Sequence, residues 1–152
     1  MGSYVALSEL KSALGITVST DDAFLNLAID SAEQSINDLC GRKFTADGSA
    51  SARTYRAQPY LVVTDDVSTL TSLTVKTDTS GDGTFDTTWA STDYQVEPLN
   101  NLVKGRSVNN LRAVENYLFP VYGDGRAAVE VTAKWGWPAV PCLLYTSDAA
   151  DE

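Results

Sequence analysis

The chain has 152 residues, 43% of them hydrophobic and 20% charged, enough for one domain with a real core. Its formal net charge is −9 and it contains no histidine. That balance argues against nucleic-acid binding through a basic face, removes the commonest general base and transition-metal ligand, and leaves no Ser–His or Cys–His nucleophile to build. No apolar run approaches the roughly 20 residues that span a bilayer, no basic-then-apolar signal segment opens the chain, and two cysteines make no disulfide framework.

Residues 4–15, YVALSELKSALG, predict a short helix. Leu7, Leu10 and Leu14 share a face, Ser8 is a start signal and Gly15 a stop. Residues 20–41 predict one long helix, the element around which the rest should be arranged. Leu25, Ala28, Ile29, Ala32, Ile36, Leu39 and Cys40 recur at gaps of three and four. Thr20 is the expected N-cap, Asp21 and Asp22 suit the positive end of the dipole, and Gly41 suits the left-handed C′ position. Cys40 on this stripe reads as a buried, inert thiol. The two helices should pack as an αα-hairpin across residues 16–19.

Beyond Lys43 the helical period is lost. Residues 46–52 read as an exposed loop. Residues 60–63 (YLVV) are a short apolar strand, interrupted by Asp65 and Asp66. Leu73 and Val75 alternate with Thr74 and Lys76 as a second strand. Residues 77–84 (TDTSGDGT) form a turn, and Trp89, Tyr94 and Val96 a returning strand that Pro98 stops. Residues 99–108 read as loop, and residues 111–119 fit strand or helix, with strand favoured because Pro120 and the turn at Gly123–Gly125 close the stretch. Val129, Val131, Ala133 and Trp135, alternating with Glu130, Thr132 and Lys134, are the clearest strand in the chain. Gly136-Trp137-Pro138 follows, and Pro141 looks like a helix entry. The expected fold class is α+β: an N-terminal helical hairpin with one long helix, then a mainly antiparallel β region, with a C-terminal helix missing.

The final residues, CLLYTSDAADE, resemble one reading frame of a transposase adapter used in sequencing libraries. The expected division is a single domain over residues 1–141 and a non-native tail over 142–152. Three of the twenty acids lie in this tail and none of the bases, so the remainder carries a net charge of −6.

YVALSELKSALGI, TDDAFLNLAIDSAEQSINDLCGRKF, WASTDYQVEP and VTAKWGWPAVP, in that order, resemble the head–tail connector (adaptor) proteins of tailed bacteriophages. The resemblance covers nearly all of residues 4–141. Its most specific pieces run from Cys40 to Phe44 and from Trp135 to Pro138. It implies a structural virion protein at the head–tail junction, assembled in the host cytoplasm. Copies would form a ring, commonly of twelve, under the portal protein. The ring would meet a tail-completion or stopper protein and continue the DNA channel. It implies no enzyme, no catalytic residue, no cofactor, no metal, no sequence-specific nucleic acid and no membrane partner. A net acidic channel component also fits, because each Lys or Arg contact to phosphate would retard sliding DNA.

Sharper site readings compete with this one. Arg42, Lys43, Arg53 and Arg56 form a basic cluster in an acidic chain. It reads either as a helix-end complement on a solvated face or, with Trp137, as an intersubunit or portal interface. Asp78, Ser80, Asp82, Gly83, Thr84 and Asp86 imitate the start of a calcium loop, but Trp89 stands where the bidentate Glu belongs. A polar turn is the plainer reading. Asp65 with Asp66, or Asp93 with Glu97, could be drawn as acid/base pairs, though twenty acids make chance pairs common. Trp89, Tyr94, Tyr122, Trp135 and Trp137 could make an aromatic platform. The alternative function is therefore a carbohydrate- or receptor-binding module of a virion or cell surface, which glycan-array retention would separate from ring formation. Aromatics more often belong to cores, and Trp135 lies on the apolar side of its strand.

Overall fold

The computed structural model describes residues 4–141. Its centre is a strand of 17 residues, β2 (Leu61–Thr77). Around it β1 (Ser51–Tyr55), β3 (Thr87–Trp89), β4 (Tyr94–Glu97), β5 (Val108–Ala113) and β6 (Val129–Trp135) complete a six-stranded antiparallel sheet of order β1-β6-β2-β5-β4, with β3 also paired to β2. The N-terminal half of β2 pairs β5, and its C-terminal half pairs β6 and β3. Val67 faces both neighbours, opposite Val108 on one side and Trp135 on the other.

The long strand keeps one core by changing parity. Val62 and Thr64 are buried before the register shift between Val63 and Val67; Val67, Val75 and Thr77 are buried after it. Between Val63 and Val67 β2 advances four residues while β5 advances two, from Asn110 to Val108; the bulge takes up the extra residues, and Val67 and Ser68 are both buried just after it. The sequence pattern broke here into two short strands with Asp65-Asp66 between them; the structure joins them into one.

The core is almost wholly a product of the sheet. It comprises Val62, Val67, Val75, Trp89, Tyr94, Val108, Leu111, Ala113, Phe119 and the inward residues of β6. Trp89 stacks on Phe119 with ring centroids 4.3 Å apart, and its indole N–H donates to Thr77 Oγ1. Each fully buried Val or Leu contributes about 1.5–3 kcal/mol, so the fold's stability resides in this layer.

The expected fold class is therefore corrected. The protein is mostly β, a six-stranded antiparallel sheet with two short helices beside it, and not a domain built on an N-terminal helical hairpin with one long helix. α1 (Leu7–Leu14) and α2 (Asp22–Cys40) have the apolar periodicity that makes helices, but neither buries a residue completely. Leu25, Ile29 and Ile36 are half-buried, whereas Ala28, Ala32 and Leu39 are exposed. Cys40 is exposed rather than buried. The N-cap is Asp21, not Thr20, and makes no side-chain capping bond; Gly41 closes the helix at φ 62°. Ser8 lies inside α1, whose N-cap is Ala6 with Glu9 folded back to the Ala6 N–H.

Smaller corrections follow the same logic. β1 begins within the stretch read as loop, because an exposed edge strand needs no apolar alternation. The returning strand is two strands, β3 pairing β2 and β4 pairing β5. β5 spans Val108–Ala113 rather than 111–119, because Glu115 takes a left-handed conformation that turns the chain. The helix expected at Pro141, and residues 142–152, lie outside the described residues.

One backbone crossing joins the helix-bearing segment to the sheet. Gly136, at φ 101°, sits so close to Thr45 that a Cβ would lie 2.0 Å from the Thr45 carbonyl oxygen. The Asp47 N–H donates to the Trp135 carbonyl and the Gly136 N–H to the Asp66 carbonyl, each within 2.8 Å. Gly136→Ala is expected to destabilise the protein by about 2–4 kcal/mol, through overpacking and a strained positive φ. Urea unfolding should show this as a lower midpoint with an unchanged slope.

Candidate functional site

Three of the four residues of the basic cluster do come together. Arg42 and Lys43 leave α2 and Arg53 stands on β1; all three line a polar cavity of about 490 Å³ where the helix-bearing segment meets the sheet. Arg56 does not line it. It lies over Gly125, its guanidinium carbon 3.5 Å from where a Cβ would be, and forms no ion pair among the described residues.

The cluster is not a free basic patch. Lys43 pairs with Asp47 at 2.8 Å, Arg53 with Asp65 at 2.7 Å and Arg42 with Asp66 at 3.8 Å. The cations keep about two-fifths of their side-chain surface, so each pair is worth only ~0–1 kcal/mol. Arg53 also lies over the Trp135 ring at 4.5 Å. Sequence reasoning singled out the cations and missed their partners. The signal was present in Asp65-Asp66, two acids inside a β-forming run, but it read as an interruption.

Asp66 is the hub. Its carboxylate accepts from Ser107 Oγ at 2.7 Å and from the Trp137 indole N–H at 3.1 Å, with Arg42 behind it. Trp137 packs edge-on against Phe44 at 5.2 Å, and Phe44 against Tyr4 at 6.2 Å. The Tyr4 hydroxyl accepts from the Phe44 N–H at 2.8 Å and donates to the Asn37 side chain. Trp135 and Trp137 would share a face of a regular strand, but Gly136 at φ 101° turns the chain between them: Trp135 enters the sheet core and donates to the Ser51 carbonyl, while Trp137 holds the foot of α2.

Asp65 lines the same cavity, and Tyr55 on β1 holds it in place. The Tyr55 hydroxyl donates to Asp65 Oδ2 at 2.8 Å. Burial, then that hydrogen bond, pushes the Tyr55 phenol up to about 12. Burial would raise Asp65 as well, but hydrogen bonds from Arg53 and Tyr55 outweigh it and hold its carboxyl below the usual range.

The other candidate sites resolve into structural roles. Asp78 is fully buried and accepts from the N–H groups of Gly81 (2.7 Å) and Gly83 (2.9 Å) and from Ser80 Oγ. These donors overcome the burial that would raise its carboxyl and hold it below the usual range. Asp82 turns to the Thr84 N–H instead. Among the described residues no group of three acids or cysteines is placed to hold a metal. Glu97 is gripped by Arg112 through two hydrogen bonds, and Asp93 accepts from the Ala90 N–H. Trp89, Tyr94 and Trp135 are buried, and Tyr122 is tied to the Asp78 carbonyl, so these aromatics do not share an exposed platform.

Two outcomes test this junction. Asp66→Ala leaves the indole N–H and the Ser107 hydroxyl without their acceptor, an expected loss of about 1–3 kcal/mol; a red-shifted emission component from Trp137 should accompany it. The raised Tyr55 phenol favours the folded state below pH ~10, the ordinary tyrosine value, and that contribution is lost as pH rises towards 12. Tyr55→Phe should flatten the fall in stability over that alkaline window, as followed by chemical unfolding at fixed pH steps.

A family model for phage gp6-like head-tail connector proteins matches residues 4–87. The match takes in both helices, Arg42, Lys43 and Arg53, Asp65 and Asp66, the whole of β2 and the turn after it; the Trp137 segment lies beyond it. No curated protein and no solved structure matches the chain. More than half of the sequence is covered by that model, and the chain belongs to the phage gp6-like head–tail connector family.

Proposed function

We propose that copies of this chain form a ring between the phage portal protein and the tail, assembled in the host cytoplasm and continuing the channel through which DNA leaves the head. Family membership gives the coarser role, a structural component of the head–tail connector. The observation that favours assembly is the helix pair. It is a regular amphipathic structure with no fully buried residue, and it exposes Phe24, Leu27 and Leu39. Exposed apolar surface of this kind marks protein contact. A ring needs two different faces on each subunit.

Arg56 is the member of the basic cluster best suited to meet another chain, because it has no ion-pair partner among the described residues. Arg42, Lys43, Arg53 and Trp137 hold the junction together and would meet a partner only with their exposed parts. Mixing the purified chain with its phage's portal protein and examining the product by sedimentation and electron microscopy tests the function. The expected result is a ring seated on the portal with a defined copy number; absence of any complex would remove the reading. Arg56→Glu should weaken that complex several-fold while changing monomer stability by less than about 0.5 kcal/mol, as for ordinary surface substitutions.

A further inference from the structure

The charges and exposed apolar groups of this chain fall into two complementary sets. Residues 4–41 hold six acids and one base, whereas residues 42–141 hold eleven acids and ten bases. On α2, Phe24, Ala28, Ser31, Ser35 and Leu39 follow one another at gaps of four and three, forming a single exposed stripe. Leu39 is 88% exposed and Phe24 74%. The small residues in the middle leave a shallow seat between them. Asp21 and Asp38 flank the stripe, both exposed and neither in an ion pair among the described residues.

The other set lies between β4 and β5. A 3₁₀ turn, Leu102–Lys104, presents Val103, which is 90% exposed, beside Leu99, also exposed. Lys104 and Arg106 flank them, exposed and without an ion pair among the described residues. The turn is held rigid. Asn101 accepts the N–H groups of Lys104 and Arg106 at 2.9 Å and donates its side-chain amide to the Ser107 carbonyl at 2.9 Å, and Leu102 tucks against the core. A preformed turn loses little freedom on docking.

We propose that the turn of one copy docks on the α2 stripe of the next, with Leu99 and Val103 seated over Ala28, Ser31 and Ser35, and Lys104 and Arg106 facing Asp21 and Asp38. This deepens the ring reading and rests on it. Two helix pairs facing each other would oppose acids to acids, which disfavours a symmetric dimer; turn against helix joins opposite charges. Because the two patches differ, the contact is head to tail and propagates around a ring.

A charge swap tests it, read as the fraction of chain assembled on the portal protein. Lys104→Glu with Arg106→Glu should lower that fraction at least ten-fold, and so should Asp21→Lys with Asp38→Lys. Combining the four changes should restore most of it, while circular dichroism shows each variant folded. Val103→Asp should act like the first pair, and a disulfide-trapped Leu27→Cys/Val103→Cys chain in a Cys40→Ser, Cys142→Ser background should link copies in series. If both charge variants assemble as the unmodified chain does, the stripe is covered by something else, the portal protein or the same chain beyond Pro141, and the proposal is overturned while the ring reading stands. If the unmodified chain forms no ring with the portal protein, both fall.

Discussion

Seventeen residues of strand can serve one core only if the strand changes which residues face inward. β2 meets that constraint with a register shift between Val63 and Val67. Before it the even-numbered Val62 and Thr64 are inside; after it Val67 and Ser68 are both buried, and further shifts against β6 between Val67 and Thr74 precede the buried Val75 and Thr77. Everything else in the sheet is arranged on this change. β5 takes the first half, β6 and β3 the second, and Val67 touches both partners where the halves meet. The bulge also turns Asp65 outward to Arg53 and Tyr55 while Asp66 reaches Ser107 and Trp137. Adjacent acids in one strand can therefore brace two different structures.

The junction and the core are coupled through very few atoms. Gly136 is the pivot: without a side chain, it lets the end of β6 lie against the Thr45 backbone. Trp135 then falls on the core side and Trp137 on the helix side. The linkage is polar and aromatic rather than aliphatic. Its ion pairs, being half-exposed, add little, while the hydrogen bonds to Asp66 are costly to break. The helix pair is thus attached firmly at its foot and left bare along its length.

How far the sequence could be read follows from this division. Local signals were legible where they are local in origin. The alternation of Val129, Val131, Ala133 and Trp135 specifies β6, and Gly41 specifies the end of α2. The balance between helix and sheet was not legible, because periodicity shows that a helix has an apolar stripe and not whether its own chain covers it. Phe24 and Leu27 lie off the stripe that the period picked out, and their exposure is a tertiary fact. β2 was split for a related reason: a bulge breaks the two-residue period at the point where the strand continues. Of the site, the cations were legible from composition; their carboxylate partners come from β2 and the loop before β1, and only the folded chain brings them together.

The topology also sets the order in which the molecule can form. β2 ends at Thr77, yet its long partners begin at Val108 and Val129, and β1 pairs with β6 across Ser51 and Ala133. Such non-local pairing gives a high contact order, which slows folding of sheet domains into the millisecond-to-second range. At ~5–20 residues per second of synthesis, the interval between completing β2 and completing β6 at Trp135 lasts roughly 3–12 s. Until Ala113 is made, β5 is not there to pair the first half of β2, and until Trp135 is made the edge that β6 takes stays open. Asp65-Asp66 in β2 are then gatekeepers, two like charges that oppose pairing between neighbouring nascent chains. The carboxylates that later brace the junction thus first keep the central strand single.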